Sequence, residues 1–185
     1  MTCIVGLVAD GKVWMGADSC GTNYNIRRNV VRPKLFTNGI ALIGYTGSFR
    51  AGQLLETKLV TPDIPEGIDT FAYMTTLFVD AVRKVFAENG FAHIENNEEE
   101  GELFLVGLNG RLFEVQEDYS VLEFEDGLAA VGAGAEYALG ALKAQGGGVL
   151  PGAAAATERI ETALEASAYF CPSVSAPFTI IKGEW

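Results

Sequence analysis

The sequence predicts an α+β fold: a four-layer αββα sandwich, with two antiparallel sheets stacked face to face and helices covering both outer faces. Three observations predict it. The short strands are almost wholly apolar, which suits strands covered on both sides. They fall into two meanders marked by tight turns, and a pair of helical stretches follows each meander. With 185 residues, 49% apolar and 20% charged, the chain can bury a sizeable core and is read as one domain over 1–185.

The first meander opens with CIVGLV (Cys3–Val8) and VWMGA (Val13–Ala17), joined by Ala9-Asp10-Gly11-Lys12, where Asp-Gly is a strong hairpin signal. Two further strands follow near Lys34–Phe36 and Ile40–Tyr45, split by Thr37-Asn38-Gly39. From Ser48 the spacing turns helical, with Phe49, Leu54 and Leu55 on one side of a short helix that ends before Pro62. A longer helix, about Asp69 to Asn89, carries Phe71, Met74, Leu77, Phe78, Ala81, Val82 and Val85 at helical spacing and stops at Asn89-Gly90.

The second meander comprises Glu102–Leu108, Arg111–Gln116, Val121–Glu125 and Leu128–Val131, with Asn109-Gly110 as a hairpin turn. Ala-rich helices over Ala135–Ala144 and Ala153–Phe170 flank the glycine run after Gln145, and a last strand, Phe178–Lys182, closes the pattern.

Composition removes several function classes. A net charge of −11 disfavours a surface built to neutralise phosphates, so no nucleic-acid partner is expected. The acidic stretch ENNEEEGE, Glu95 to Glu102, reads as a solvated loop. No apolar run approaches the roughly 20 residues that span a bilayer, and no signal-peptide pattern opens the chain, so a cytoplasmic protein without a membrane partner is expected. Cys3, Cys20 and Cys171 show neither CxxC pairing nor a disulfide framework and read as buried or half-buried thiols. A lone histidine, His93 in FAHIENN, reads as a loop residue and makes no metal cluster. Gly132-Ala133-Gly134 lacks the rest of a dinucleotide fingerprint and reads as a strand-to-helix turn. No cofactor or metal is implied.

The chemistry that remains sits at the start of the chain. Removal of Met1 before the small Thr2 would place a hydroxyl and a free α-amine on one residue. The hydroxyl is a nucleophile, and an α-amine, which ordinarily titrates at about pH 8, is a general base, so no histidine is required. Asp18, ending the second strand, and Lys34, opening the third, sit beside Thr2 if the hairpin brings the strands together. The ammonium then favours a negative oxygen, and the carboxylate holds the ammonium in place. Taken singly, each residue also has an ordinary reading: strand propensity for Thr2, a turn cap for Asp18, a surface charge for Lys34.

Thr2, Asp18 and Lys34, sixteen residues apart in each step and embedded in TCIVGLVADGKVWMGADSCGT and RPKLF, resemble the Thr, Asp and Lys of the proteasome β-subunits and the related bacterial ATP-dependent ring protease. Both are N-terminal nucleophile hydrolases. Gly44-Tyr45-Thr46-Gly47 is similar to the family's glycine turn, which implies that the Gly47 N–H forms an oxyanion hole. Asp126–Ala138 resembles its strand-to-helix junction, and Thr22 matches a threonine that aligns an extended substrate. KLFTNG, GYTGSFRAGQLL and GRLFEV also look like a bacterial and phage branch of such hydrolases.

The resemblance implies a threonine-type peptidase or amidase that assembles into a homo-oligomer, as a ring or stacked rings, and takes a peptide or protein substrate; it names no partner ATPase. Two departures stand out. Ala133 replaces the family's turn serine, and the family's C-terminal acid, expected near Tyr169 to Ser173, is missing, leaving Ser173 as an accessory hydroxyl. Such losses weaken the groups that orient the amine. The second functional reading is therefore an unprocessed or inactive proteasome-like subunit with a structural, ring-forming or interaction role.

Overall fold

The computed structural model describes residues 2–23, 26–95, 98–146 and 153–184. The four-layer sandwich is present. One sheet has four strands: β1 (Cys3–Ala9), β2 (Lys12–Ala17), β12 (Leu128–Gly132) and β13 (Thr179–Lys182), in the order β12-β1-β2-β13. The other has five: β5 (Leu35–Asn38), β6 (Ala41–Tyr45), β9 (Phe104–Leu108), β10 (Arg111–Val115) and β11 (Val121–Glu123), in the order β11-β10-β9-β6-β5. Every pairing in both sheets is antiparallel. Each sheet draws strands from both meanders, so neither sheet is complete until the chain has crossed the molecule.

Period-two alternation explains why these strands are apolar at nearly every position. On β1, Cys3, Val5 and Leu7 face one helical layer, while Ile4 faces the opposite sheet. On β9, Phe104, Val106 and Leu108 face the other helical layer, while Leu105 points inward. Three apolar layers result, one between the sheets and one under each pair of helices.

Helix α1 (Phe49–Thr57) starts at Ser48, whose hydroxyl accepts from the Arg50 and Ala51 N–H groups. The long predicted helix is α2 (Thr70–Tyr73), a π-helical turn (Met74–Phe78) and α3 (Val79–Glu88), capped by Asp69. The expectation that Phe71 and Leu77 share its buried stripe is corrected, because both are 38% exposed. A π turn widens the helical period and carries the stripe out of register. On the other face, α4 (Ala135–Ala144) and α5 (Ala153–Phe170) have the predicted bounds.

Other expectations are corrected too. The turn after β5 is Gly39-Ile40, so Thr37 and Asn38 belong to the strand and Ile40 does not. Two hairpins went unpredicted: β3 (Cys20–Asn23) with β4 (Ile26–Asn29), and β7 (His93–Glu95) with β8 (Glu98–Glu100). All four residues of β4 are exposed, so backbone pairing made these strands without the apolar alternation that marks the others. His93 accordingly starts a strand, its ring edge-on to Phe91 at 6.2 Å, instead of lying in a loop. The acidic stretch is not one solvated loop: Glu99 pairs with Arg83 at 2.6 Å, and Glu102 is half-buried.

Candidate active site

Hairpin β1–β2 decides the geometry. Its register sets Ile4 opposite Ala17, so the start of β1 and the end of β2 lie side by side, with Thr2 and Asp18 just beyond the pair. The Asp18 N–H donates to the Cys3 carbonyl at 3.3 Å, and the Cys3 N–H returns a bond to Asp18 Oδ1 at 3.0 Å. This second bond uses the peptide N–H that follows Thr2 directly.

Lys34 enters from the other sheet, immediately before β5, where its carbonyl accepts from the Tyr45 N–H at 3.2 Å. Its ammonium donates to Asp18 Oδ1 at 2.8 Å and to the Cys20 carbonyl at 2.7 Å. The Cys20 N–H donates to Asp18 Oδ2 at 2.7 Å. Asp18 thus accepts two backbone N–H bonds and one ammonium bond. Of the three ammonium hydrogens, two are used among the described residues, leaving one donor for something else.

All three predicted polar residues are buried: Thr2 is 3% exposed, Asp18 2% and Lys34 0%. Burial pushes the Lys34 ammonium below its ordinary value, and the adjacent Asp18 opposes that shift. The ordinary reading of Lys34 as a surface charge therefore fails, whereas Asp18 does cap the Asp18-Ser19 turn through the Cys20 N–H while it also holds Lys34. Desolvating two charges is expensive, which makes the buried pair a candidate for a functional site.

The glycine turn reaches the same spot. Thr2 packs against Gly132, where an added Cβ would overlap the Thr2 carbonyl and lie 3.4 Å from the Thr46 methyl. Gly134 N–H donates to the Thr2 carbonyl at 3.4 Å. Gly47 has φ +61°, a left-handed conformation that favours glycine, and its N–H has no partner among the described residues. Thr2, Thr46, Gly47 and the Asp18–Lys34 pair are therefore neighbours across the two sheets.

Thr22 is half-buried on β3, two residues beyond Cys20. Beside it, an added Cβ on Gly21 would meet Val30 and the Phe49 ring, both of which line a cavity of about 520 Å³. Tyr45, edge-on to Phe49 at 6.2 Å, also lines it, as do Arg32 and Glu56, which pair at 2.6 Å. Ser173 is buried in the loop after α5.

Sequence reasoning missed four contributors. The Cys20 carbonyl and the Cys3 N–H act through backbone, which leaves no side-chain signature. Ser167 donates to the Gly134 carbonyl at 2.9 Å and so holds α5 to the Gly132–Gly134 turn; a serine within ALEASA was its only signal. Glu102 abuts Gly47, and its position directly before the apolar run of β9 was the available clue. Cys3, beneath the site, is buried, and that burial pushes its thiol up to about 12, as expected of an inert structural cysteine. Cys20 and Cys171 are also buried. Among the described residues no His, Cys, Asp or Glu group could hold a metal ion, and no helix is long and apolar enough to cross a membrane.

No protein-family model matches the chain, and no curated protein does. Solved structures do match. BPH from Thiobacillus denitrificans, solved in complex with epoxomicin, superposes with a TM-score of 0.80 over 98% of both chains at 21% identity. HslV from Trypanosoma brucei gives 0.69 at 18% identity, over 97% of this chain and 98% of its own. Anbu, the ancestral beta-subunit from Yersinia bercovieri, gives 0.69 at 14% identity, over 97% of this chain and 80% of its own. The chain has the proteasome-like N-terminal nucleophile hydrolase fold.

Proposed function

We propose that this protein is a threonine-type amide-bond hydrolase acting on peptides, with Thr2 as its nucleophile once Met1 has been removed. One observation carries the reading: a fully buried ion pair, Asp18–Lys34, is hydrogen-bonded to the peptide N–H that follows Thr2. Such a pair costs the fold stability, and its position beside a hydroxyl gives it a chemical use.

In this reading the α-amine of Thr2 takes the hydroxyl proton as Oγ attacks the substrate carbonyl. The Gly47 N–H stabilises the oxyanion that forms. The remaining Lys34 hydrogen favours the negative Oγ, while Asp18 and the Cys20 carbonyl hold the ammonium in place. Collapse of the tetrahedral adduct breaks the C–N bond, and the protonated α-amine hands its proton to the departing amine. Water then attacks the Thr2 ester, and Oγ recovers a proton as the acid leaves.

Thr22 on β3 aligns the extended substrate by main-chain bonds, which directs one substrate side chain towards the Val30–Tyr45–Phe49 cavity. Val30, Val31, Tyr45 and Phe49 in that lining suit an apolar side chain, with Arg32, Gln53, Glu56 and Thr57 beside them for a polar end. Ser173 supplies an accessory hydroxyl. Assembly into a homo-oligomer and a cytoplasmic setting belong to the same proposal.

Intact mass after expression tests it, with and without an epoxyketone, a class whose carbonyl and epoxide can engage a hydroxyl and an amine on one residue. Loss of Met1 and an adduct on Thr2, absent in Thr2→Ala, are the expected results. Retained Met1, or no adduct together with equal amide hydrolysis by wild type and Thr2→Ala, would instead assign the chain a structural, ring-forming or interaction role.

A further inference from the structure

Glu102 lies against Gly47, whose N–H the hydrolase reading assigns to the oxyanion, yet that mechanism gives Glu102 no task. Its carboxyl group occupies the space beside the Gly47 Cα, so that a Cβ at Gly47 would collide with the carboxyl carbon and both oxygens. Glu102 Oε2 accepts the Ser48 N–H at 3.0 Å. The next residue holds the other side of the turn: the Leu103 carbonyl accepts from the Thr46 N–H at 3.4 Å and from the Thr46 hydroxyl at 3.3 Å.

Gly47 is therefore held from both flanks by two consecutive residues of one segment. Thr46 is fixed through Leu103 and Ser48 through Glu102, which leaves the peptide carrying the Gly47 N–H with little freedom to rotate. The segment is itself braced from behind. Gly101 N–H donates to the Glu117 carbonyl at 2.7 Å. Tyr119, buried and with φ +65°, packs so closely on Gly101 that a Cβ there would come within 2.8 Å of the ring. A bulky residue in the left-handed region is strained, and such conformations gather around sites that need a fixed backbone. Burial pushes the Glu102 carboxyl above the ordinary carboxylate range, and the nearby Glu117 adds to that shift while the Ser48 N–H opposes it. A half-buried carboxyl held against its own solvation is a structural commitment, not a surface accident.

We infer that Glu102 is a positioning residue: its carboxyl pins the Gly47–Ser48 peptide and so aims the Gly47 N–H at the reacting carbonyl oxygen. The inference rests on the hydrolase reading. Oxyanion donors act through placement, and a displacement of about 1 Å can cost up to about a hundredfold in rate. Glutamine retains an oxygen that accepts from Ser48, whereas alanine retains none.

The test pairs kinetics with amide hydrogen exchange on processed protein. Glu102→Ala is expected to lower kcat for a peptide amide by about ten- to a hundredfold with KM changed less than about twofold. Glu102→Gln is expected to stay within about threefold of wild type. Exchange at the Ser48 amide should accelerate in Glu102→Ala and not in Glu102→Gln, and should do so equally in a Thr2→Ala background where there is no turnover. Unchanged Ser48 exchange in Glu102→Ala overturns the tether. Faster exchange with unchanged kcat, or an equal loss in Glu102→Gln and Glu102→Ala, overturns the positioning role. Hydrolysis that is absent, or indifferent to Thr2→Ala, overturns the hydrolase reading and this role with it. The Ser48 exchange result tells the two failures apart.

Discussion

Two ion pairs in this molecule have similar lengths and opposite surroundings. Lys34 and Asp18 meet at 2.8 Å with both side chains fully buried. Arg111 and Glu123 meet at 2.5 Å with side chains 32% and 31% exposed, and Arg111 also reaches Asp69 at 3.1 Å and lies 5.2 Å over the Phe113 ring. Distance alone would rank them together. Solvation separates them, because the exposed pair gave up little water to form, while the buried pair gave up nearly all of it. Among the described residues the buried pair uses only two of the three Lys34 ammonium hydrogens, and the proposed mechanism gives the third a task that the exposed pair lacks.

The largest expected effect follows from breaking the buried pair. Lys34→Ala leaves a desolvated carboxylate, and Asp18→Ala leaves a desolvated ammonium plus two N–H groups without their acceptor. Each is expected to destabilise by about 3–5 kcal/mol in urea unfolding and to abolish hydrolysis by Thr2. The double variant Lys34→Met with Asp18→Asn separates the two losses. It removes both charges and keeps an amide oxygen for Cys3 or Cys20, so most of the stability should return while the activity stays lost. If activity returned along with stability, the pair would be an element of the fold and nothing more.

How much of this was legible in the sequence differs between the same two regions. Thr2 and Asp18 stand at the ends of two strands whose apolar runs and Asp-Gly turn are local signals, so their meeting followed from the hairpin, whereas Lys34 reaches Asp18 from the other sheet and only its spacing pointed to it. Gly47 was legible through the glycine turn. Glu102 was not, because its acidic neighbours made it look solvated, and only the crossing of β9 beside β6 brings it to Gly47. The same limit hid the two polar hairpins, which are held by backbone bonds without an apolar face. The π turn escaped because it breaks the helical period on which sequence reading depends. What long-range pairing decided, local pattern could not show.

The exposed pair supplies the next, smaller effect. Arg111→Ala is expected to cost about 1 kcal/mol or less, part of it from lost contact with the Phe113 ring and not from charge. Raising the salt concentration should shrink the difference between Arg111→Ala and wild type, because exposed charges are screened, and should leave the deficit of Lys34→Ala nearly unchanged. Equal salt sensitivity in the two variants would erase the distinction drawn between the pairs.

The smallest effect is a slope against pH, and its sign follows from burial. The native Lys34 ammonium is held below its ordinary value of 10.5, so between the lowered value and 10.5 the unfolded chain binds this proton more readily than the native one. Its contribution to stability is thus fully present above 10.5 and is lost as pH falls through the lowered native value. Measured against Lys34→Met with Asp18→Asn, which lacks the titrating amine, wild type should therefore gain stability as pH rises through this window. Glu123 and Asp69 push the Arg111 guanidinium the other way, above its ordinary value, which places its titration beyond the window. The difference between Arg111→Ala and wild type should then stay flat up to about 10.5 while the buried pair's difference slopes. A flat curve for both would mean that Lys34 titrates as though solvated, and that the burial seen around it does not govern its proton.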